Sequence, residues 1–316
     1  MTVATVSLRD AYGSMLPELG ARFPNVVVLD ADLSSSTRTK AFKERFPDRY
    51  LNVGIAEQNM VGVAAGIALA GDVPLVNTFA AFLTRRACDQ IAISVAYPRL
   101  GVKFFGFHAG INLGEDGATQ QAVEDLGIMR TIPGIRVFSP IDATDLAVTM
   151  NEVLTCQEPT YVRLSRFPTR DLSQTAEPGA ADPLAFKILS PGRDLCVITT
   201  GTITDEVLKA AAALRTQGLQ CQVVAVTRIK PLADSLIDLV AAGGDRPVAV
   251  VEEHSVYGGL ADALSEGLDR CHVRHRLYRI GIPDRFGESG PPQQLLEQFK
   301  LAGEPLIDEL RRAIRT

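Results

Sequence analysis

The chain has 316 residues, room for about two domains at roughly 150 residues each, and its 46% hydrophobic and 22% charged content excludes disorder and low complexity. Lys plus Arg number 32 against 37 Asp plus Glu, a net charge of −5 without a basic stripe, which argues against nucleic acid or anionic membrane as a partner. Five scattered cysteines, never spaced as CxxC, argue against a disulfide framework or structural zinc and suit a reducing cytoplasm.

The first residues, MTVATVSLRD, show no basic region leading into an apolar core, so no secretory signal is expected. In chain order, short β-branched runs at residues 26–30, 73–77, 102–108, 135–139 and 160–165 predict strands. Each is followed by polar or glycine-containing residues and then a helical pattern. A second series follows at residues 195–199, 222–227, 248–252 and 276–280. This alternation predicts an α/β fold of two domains, each with a mainly parallel sheet flanked by helices. Residues 171–190, polar and rich in Pro and Ala, predict an exposed linker between a first domain, residues 1–170, and a smaller second one, residues 191–316.

Within the first domain, residues 56–70 predict a nearly uncharged helix. Gly62, Ala65 and Gly66 leave a face of it open to close approach, by the same domain or by another subunit. The most apolar stretch, residues 60–71, is shorter than the about 20 residues that span a bilayer.

Three features could carry chemistry. Glu57, in VGIAEQNMVGVAAG, is a carboxylate opening that uncharged helix, where the helix dipole alone would favour it. Phe79 and Phe82, with Arg85 beyond them, follow the next strand and could line a pocket or simply the core. The loop after residues 102–108, FHAGINLGEDGATQQAVEDLG, puts three glycines and adjacent acids at a strand's carboxyl end, where open α/β sheets bind ligands. No phosphate-binding GxxxxGK[ST], HExxH or GxSxG motif is present.

Taken together and in order, DADLSSSTRT, FPDRYLNVGIAEQNMVGVAAGIALAG, NTFAAFLTRRACDQI, HAGINLGEDGATQQAVEDLGIMRTIPGIRVFSP and YVRLSR resemble the pyrimidine-binding domain of transketolase and its relative deoxyxylulose-phosphate synthase. GTITDEVLKAA, RIKPLAD, VVEEHSVYGGLADAL and GIPDRFGESG resemble the transketolase C-terminal domain. The family's GDG motif with a downstream Asn, which holds magnesium, has no counterpart, since Gly71-Asp72 runs into Val73 and a strand. The resemblance therefore implies the C-terminal half of a split transketolase. Its thiamin diphosphate would be shared with an N-terminal subunit that carries the diphosphate domain and the Mg2+, two of each forming a heterotetramer.

The resemblance also implies residue roles. Glu57 matches the glutamate that hydrogen-bonds N1′ of the thiamin aminopyrimidine and exchanges a proton with it. Phe79 and Phe82 match the aromatic wall, Phe82 being the stacking residue. Arg85 stands at the far edge of the pocket, where transketolases often have Tyr, and Asp32 matches an acid near the thiazole side. Arg9, Ser36, His108 and Arg166 match positions that hold a sugar phosphate. Asp116 matches the contact to the donor hydroxyl, and Gln120 replaces a substrate-contacting family His. His254, Glu252 and Glu253 read as structural residues of the second domain. The implied reaction is transfer of a two-carbon ketol unit from a ketose to an aldehyde. The alternatives are a deoxyxylulose-phosphate-synthase-like or specialised carboligase, the beta subunit of a 2-oxo acid dehydrogenase, and a non-catalytic scaffolding subunit.

Overall fold

Three consecutive valines make Val26–Asp30 (VVVLD) a strand buried along almost its whole length, in a computed structural model that describes residues 5–315. It pairs in parallel with Tyr50–Asn52 on one side and Val73–Phe79 on the other. Beyond these, Lys103–Phe107, Thr160–Leu164 and Arg136–Phe138 continue the sheet, again in parallel. Lys103–Phe107 is buried at every residue, the pattern of a strand covered by helices on both faces. Register matters here. Phe79, Phe107 and Leu164 are partners across three neighbouring strands, so Ala80, His108 and Ser165 emerge side by side at the carboxyl edge.

The second sheet is built on Leu195–Thr199, flanked by Cys221–Val226 and Val248–Ser255, with Leu277–Ile282 outside, all parallel. Two antiparallel strands, Phe186–Ser190 and Glu177–Pro178, complete it. Residues 171–190, expected as an exposed linker, are thus largely folded in. Leu172, Leu184, Ala185 and Phe186 are buried, and the run FKILS forms a strand of the second sheet. Asp142, the N-cap of helix Ala143–Thr155, pins the start of this segment by accepting from the Leu172 and Ser173 backbone N–H groups, each at 2.7 Å.

The two domains are joined by more than this segment. Arg228–Lys230 leaves the second domain and adds an antiparallel seventh strand to the first sheet, beside Arg136–Phe138. Phe104 and Met129 of the first domain share one buried cluster with Leu260 and Leu264 of the second. Helix Glu57–Leu69 buries Met60, Val61, Ala64 and Ala65, while Gly62 and Gly66 face outward with no atom of the chain within 4 Å of a Cβ there. Among the described residues, no helix is long and apolar enough to cross a membrane.

Candidate active site

Glu57 is the first residue of helix Glu57–Leu69 and only 1% exposed. Its Oε2 accepts a hydrogen bond from Nη1 of Arg86 at 2.7 Å. The Arg86 head also lies 4.8 Å from the centre of the Phe82 ring. Phe82 stacks on Phe79 with centroids 5.4 Å apart and an interplanar angle of 21°. A flat, nitrogen-bearing cation thus rests on an aromatic ring and against a buried carboxylate. The same pair of contacts suits a flat nitrogen heterocycle, which needs a stacking surface and an acid at its edge. Arg86 was not singled out from the sequence. Its position one turn beyond Phe82, in the π-helical segment Phe82–Arg86, is the signal that could have found it.

Arg85 is engaged elsewhere. Its guanidinium pairs with Glu124 and donates to the Gln121 carbonyl at 3.0 Å, tying the aromatic segment to the glycine-bearing loop. The pocket-edge position expected for Arg85 is therefore one of loop attachment in this structure, and Arg86 is the cation that faces Glu57.

A second cluster surrounds His108, the residue after strand Lys103–Phe107. His108 is 2% exposed, sits at φ +58° in the left-handed region, and neither ring nitrogen has a partner in the chain. Its ring lies 4.5 Å from that of Phe79. Backbone strain of this kind costs about 1–3 kcal/mol and gathers at functional sites. A buried polar ring without a partner equally marks a place that a ligand completes. Burial, reinforced by the positive charges of Arg9, Arg166 and Arg38, pushes the imidazole down to about 3. His108 is therefore neutral at neutral pH and offers one donor and one acceptor.

Arg9 donates its backbone N–H to the Ser165 carbonyl at 3.3 Å, and its own Nε is buried without a partner. Arg38 binds Asp10 at 2.7 Å. Burial would raise the Asp10 carboxyl, but the Ser7 hydroxyl, Arg38 and Arg9 outweigh it and hold the group at about 2. Ser36 lies in the adjoining short helix Ser34–Thr37, half-buried, next to Ser35, whose carbonyl accepts from Arg38 at 3.3 Å. Arg166, half-exposed, stands 3.5 Å from Asp116, and both line a cleft of about 380 Å³ with Asn112 and Phe167. Three arginines, only partly offset by Asp10 and Asp116, around a neutral imidazole leave a net positive cluster whose chemistry suits an anion. In ¹⁵N NMR spectra of the chain, the His108 ring signals are expected to stay constant from about pH 5 to 8, the range in which an ordinary imidazole titrates. A midpoint inside that range would mean that the cations do not surround it.

The remaining expected residues are placed less tightly. Asp32, exposed at the end of strand Val26–Asp30, exchanges two hydrogen bonds with the Asn52 side chain at 3.0 and 3.1 Å. Gln120 is half-buried, and its side-chain oxygen accepts from the Thr119 hydroxyl. Among the described residues, no three His, Cys, Asp or Glu side chains converge as a metal site, and all five cysteines are free.

Fold and site define a two-domain α/β chain whose candidate site lies at the carboxyl ends of the first sheet's strands, where open α/β sheets bind ligands. Residues 4–170 match the model of the transketolase pyrimidine binding domain, and residues 185–305 that of the transketolase C-terminal domain. The chain belongs to the transketolase family. It is 40% identical over 311 residues to "Putative transketolase C-terminal section" of Methanocaldococcus jannaschii, covering 98% of this chain and 96% of that protein. It is 37% identical to "6-deoxy-6-sulfo-D-fructose transketolase subunit SqwH" of a Clostridium species, over 95% of this chain and 92% of the relative. Among solved structures, "Split gene transketolase, inactive beta4 tetramer" superposes with a TM-score of 0.85 at 36% identity, covering 99% of both chains.

Proposed function

We propose that this chain is the C-terminal subunit of a split transketolase, active with a separate N-terminal subunit in the transfer of a two-carbon ketol unit from a ketose phosphate to an aldehyde. The observation that carries this reading is the buried Glu57 carboxylate beside the Phe79–Phe82 stack. A scaffold has no use for a buried acid at the edge of an aromatic platform. These residues fit the aminopyrimidine of thiamin diphosphate. When bound, that cofactor supplies the nucleophilic carbon at which a ketose carbon–carbon bond is broken and remade.

Glu57 would hold a proton against the ring nitrogen N1′, and Phe82 would stack on the ring with Phe79 behind it. Arg86 is exposed enough to swing into solvent and release Glu57 Oε2. Arg9, Ser36, His108 and Arg166 would hold the sugar phosphate, and Asp116 a donor hydroxyl. Gln120 offers a hydrogen bond where the family His could also carry charge, so the range of donors and acceptors would differ from that of central-metabolism transketolase. The N-terminal subunit would bring the diphosphate site and Mg2+. The relatives whose names mark them as a section or a subunit support a separate N-terminal partner; two copies of each subunit, assembled in the cytoplasm, is the arrangement proposed.

Mixing tests the reading. The chain with thiamin diphosphate, magnesium, a ketose phosphate and an aldehyde is expected to show no turnover until a partner bearing the diphosphate domain is added. Robust turnover by the isolated chain, or none with an assembled partner, would overturn it.

A further inference from the structure

We propose that Glu253 of the second domain is a positioning residue for the loop that carries Asp116 and Gln120, and so sets donor recognition from outside the first domain. The proposal rests on the function read above, since it concerns the same cleft. Glu253 lies in strand Val248–Ser255 and is 2% exposed. Its Oε1 accepts from the backbone N–H groups of Ile111 at 2.7 Å and Asn112 at 2.8 Å, and its Oε2 accepts from Asn112 Nδ2 at 2.6 Å. Gly110, at φ +85°, comes so close that a Cβ on it would collide with this carboxylate. The loop is shaped around the Glu253 head.

The neighbouring residues of the same strand hold the far end of the loop. Ser255 donates its backbone N–H to the Val123 carbonyl at 2.6 Å, and His254 Nε2 accepts from the Gly127 N–H at 3.2 Å. Arg163, from strand Thr160–Leu164, locks the joint from below, donating to the Glu253 carbonyl at 2.7 Å and to Asp125 at 2.9 Å. A second segment of the same domain braces the middle. Gln121 donates to the Glu288 carbonyl at 2.9 Å, and a Cβ on Gly117 would meet the Ser289 hydroxyl. A long loop with little structure of its own keeps one shape only if such outside partners satisfy its backbone. Arg85 and Arg163 of the first domain hold the carbonyls of Gln121 and Ala122, but the Ile111 and Asn112 end of the loop is held by the second domain, which gives that domain a part in recognition.

The joint also responds to pH. Burial, with the nearby charge of Asp125, pushes the Glu253 carboxyl up to about 7 against the opposing pull of Arg163 and the two loop N–H groups. Arg163 and Asp125 are the charged groups that face it. Above that value both oxygens accept. As pH falls through it, one oxygen becomes an O–H facing N–H donors, and the grip on Ile111 and Asn112 loosens. A raised carboxyl binds its proton more readily folded than unfolded, so overall stability is not lost over this interval. The change is confined to the loop.

Glu253→Gln in the complex with the partner subunit tests the assignment. The amide keeps the size but turns one acceptor into a donor. Amide hydrogen exchange at Ile111 and Asn112 should quicken, and the KM for the ketose donor should rise about tenfold, the effect of one lost charge-assisted hydrogen bond. Thiamin diphosphate affinity and Tm should stay near wild type, and the rise of donor KM toward acid pH should flatten. Faster exchange with an unchanged KM, or equal losses in donor and cofactor binding, would overturn the proposal. If the wild-type complex transfers no ketol unit, the functional reading fails separately, and unchanged exchange at Ile111 and Asn112 would overturn the brace by itself. Should Glu253→Gln not assemble, Gln121→Ala removes the second tie, and the same readouts decide.

Discussion

Glu57→Gln is expected to slow ketol transfer by the assembled enzyme by about 10²–10⁴-fold, the usual contribution of a positioned acid–base group. Assembly and thermal unfolding should be unchanged. The geometry explains the separation. Glutamine preserves the size of a side chain that is 1% exposed, and its carbonyl oxygen can still accept from Arg86 Nη1. Arg86 is itself half-exposed, so losing a charged partner leaves it in water rather than stranded in the core. Only proton exchange with a ring nitrogen disappears. Steady-state rates on the mutant complex, with native mass spectrometry to verify its composition, make the measurement. Near-normal turnover would reduce Glu57 to the helix-terminal partner of Arg86.

Arg166→Ala should raise the KM for a ketose phosphate by about 10- to 100-fold, while an unphosphorylated ketose changes by less than about twofold. A hydrogen bond to a charged group contributes about 1.5–3 kcal/mol, and each 1.4 kcal/mol is a factor of ten. The loss has a second component. Arg166 lies 3.5 Å from Asp116, so its removal leaves that carboxylate unneutralised in the same cleft, where it repels a dianion. His108, held neutral by burial and by its neighbours' charges, cannot supply the missing cation. Comparable changes for both substrates would take Arg166 out of the phosphate site.

Elements with a sustained pattern were legible before the structure. Val26–Asp30 and Leu195–Thr199 have the bounds expected from their β-branched runs. Tyr50–Asn52 and Arg228–Lys230 were not legible, because three residues cannot establish an alternation of period two. Phe186–Ser190 was hidden by its setting among Pro and Ala, which reads as linker until the strand it pairs with is known. The site divides in the same way. Glu57, Phe79 and Phe82 stand in recognisable local motifs. The contacts of Arg86 with Glu57, 29 residues away, and of Glu253 with Asn112, 141 residues away, exist only through tertiary approach. No local pattern announces them.

The seventh strand of the first sheet has a consequence for how this chain can be divided. Arg136–Phe138 is the last strand that the first domain builds from its own residues, and its outer side is covered by Arg228–Lys230. A truncation within residues 171–190 would remove that cover and leave Arg136, Val137 and Phe138 at an open sheet edge. Unpaired edges of this kind recruit strands from other molecules and seed aggregation. The two domains are therefore unsuited to exchange as modular parts between relatives: whatever replaces the second domain must also bring a strand to close the first.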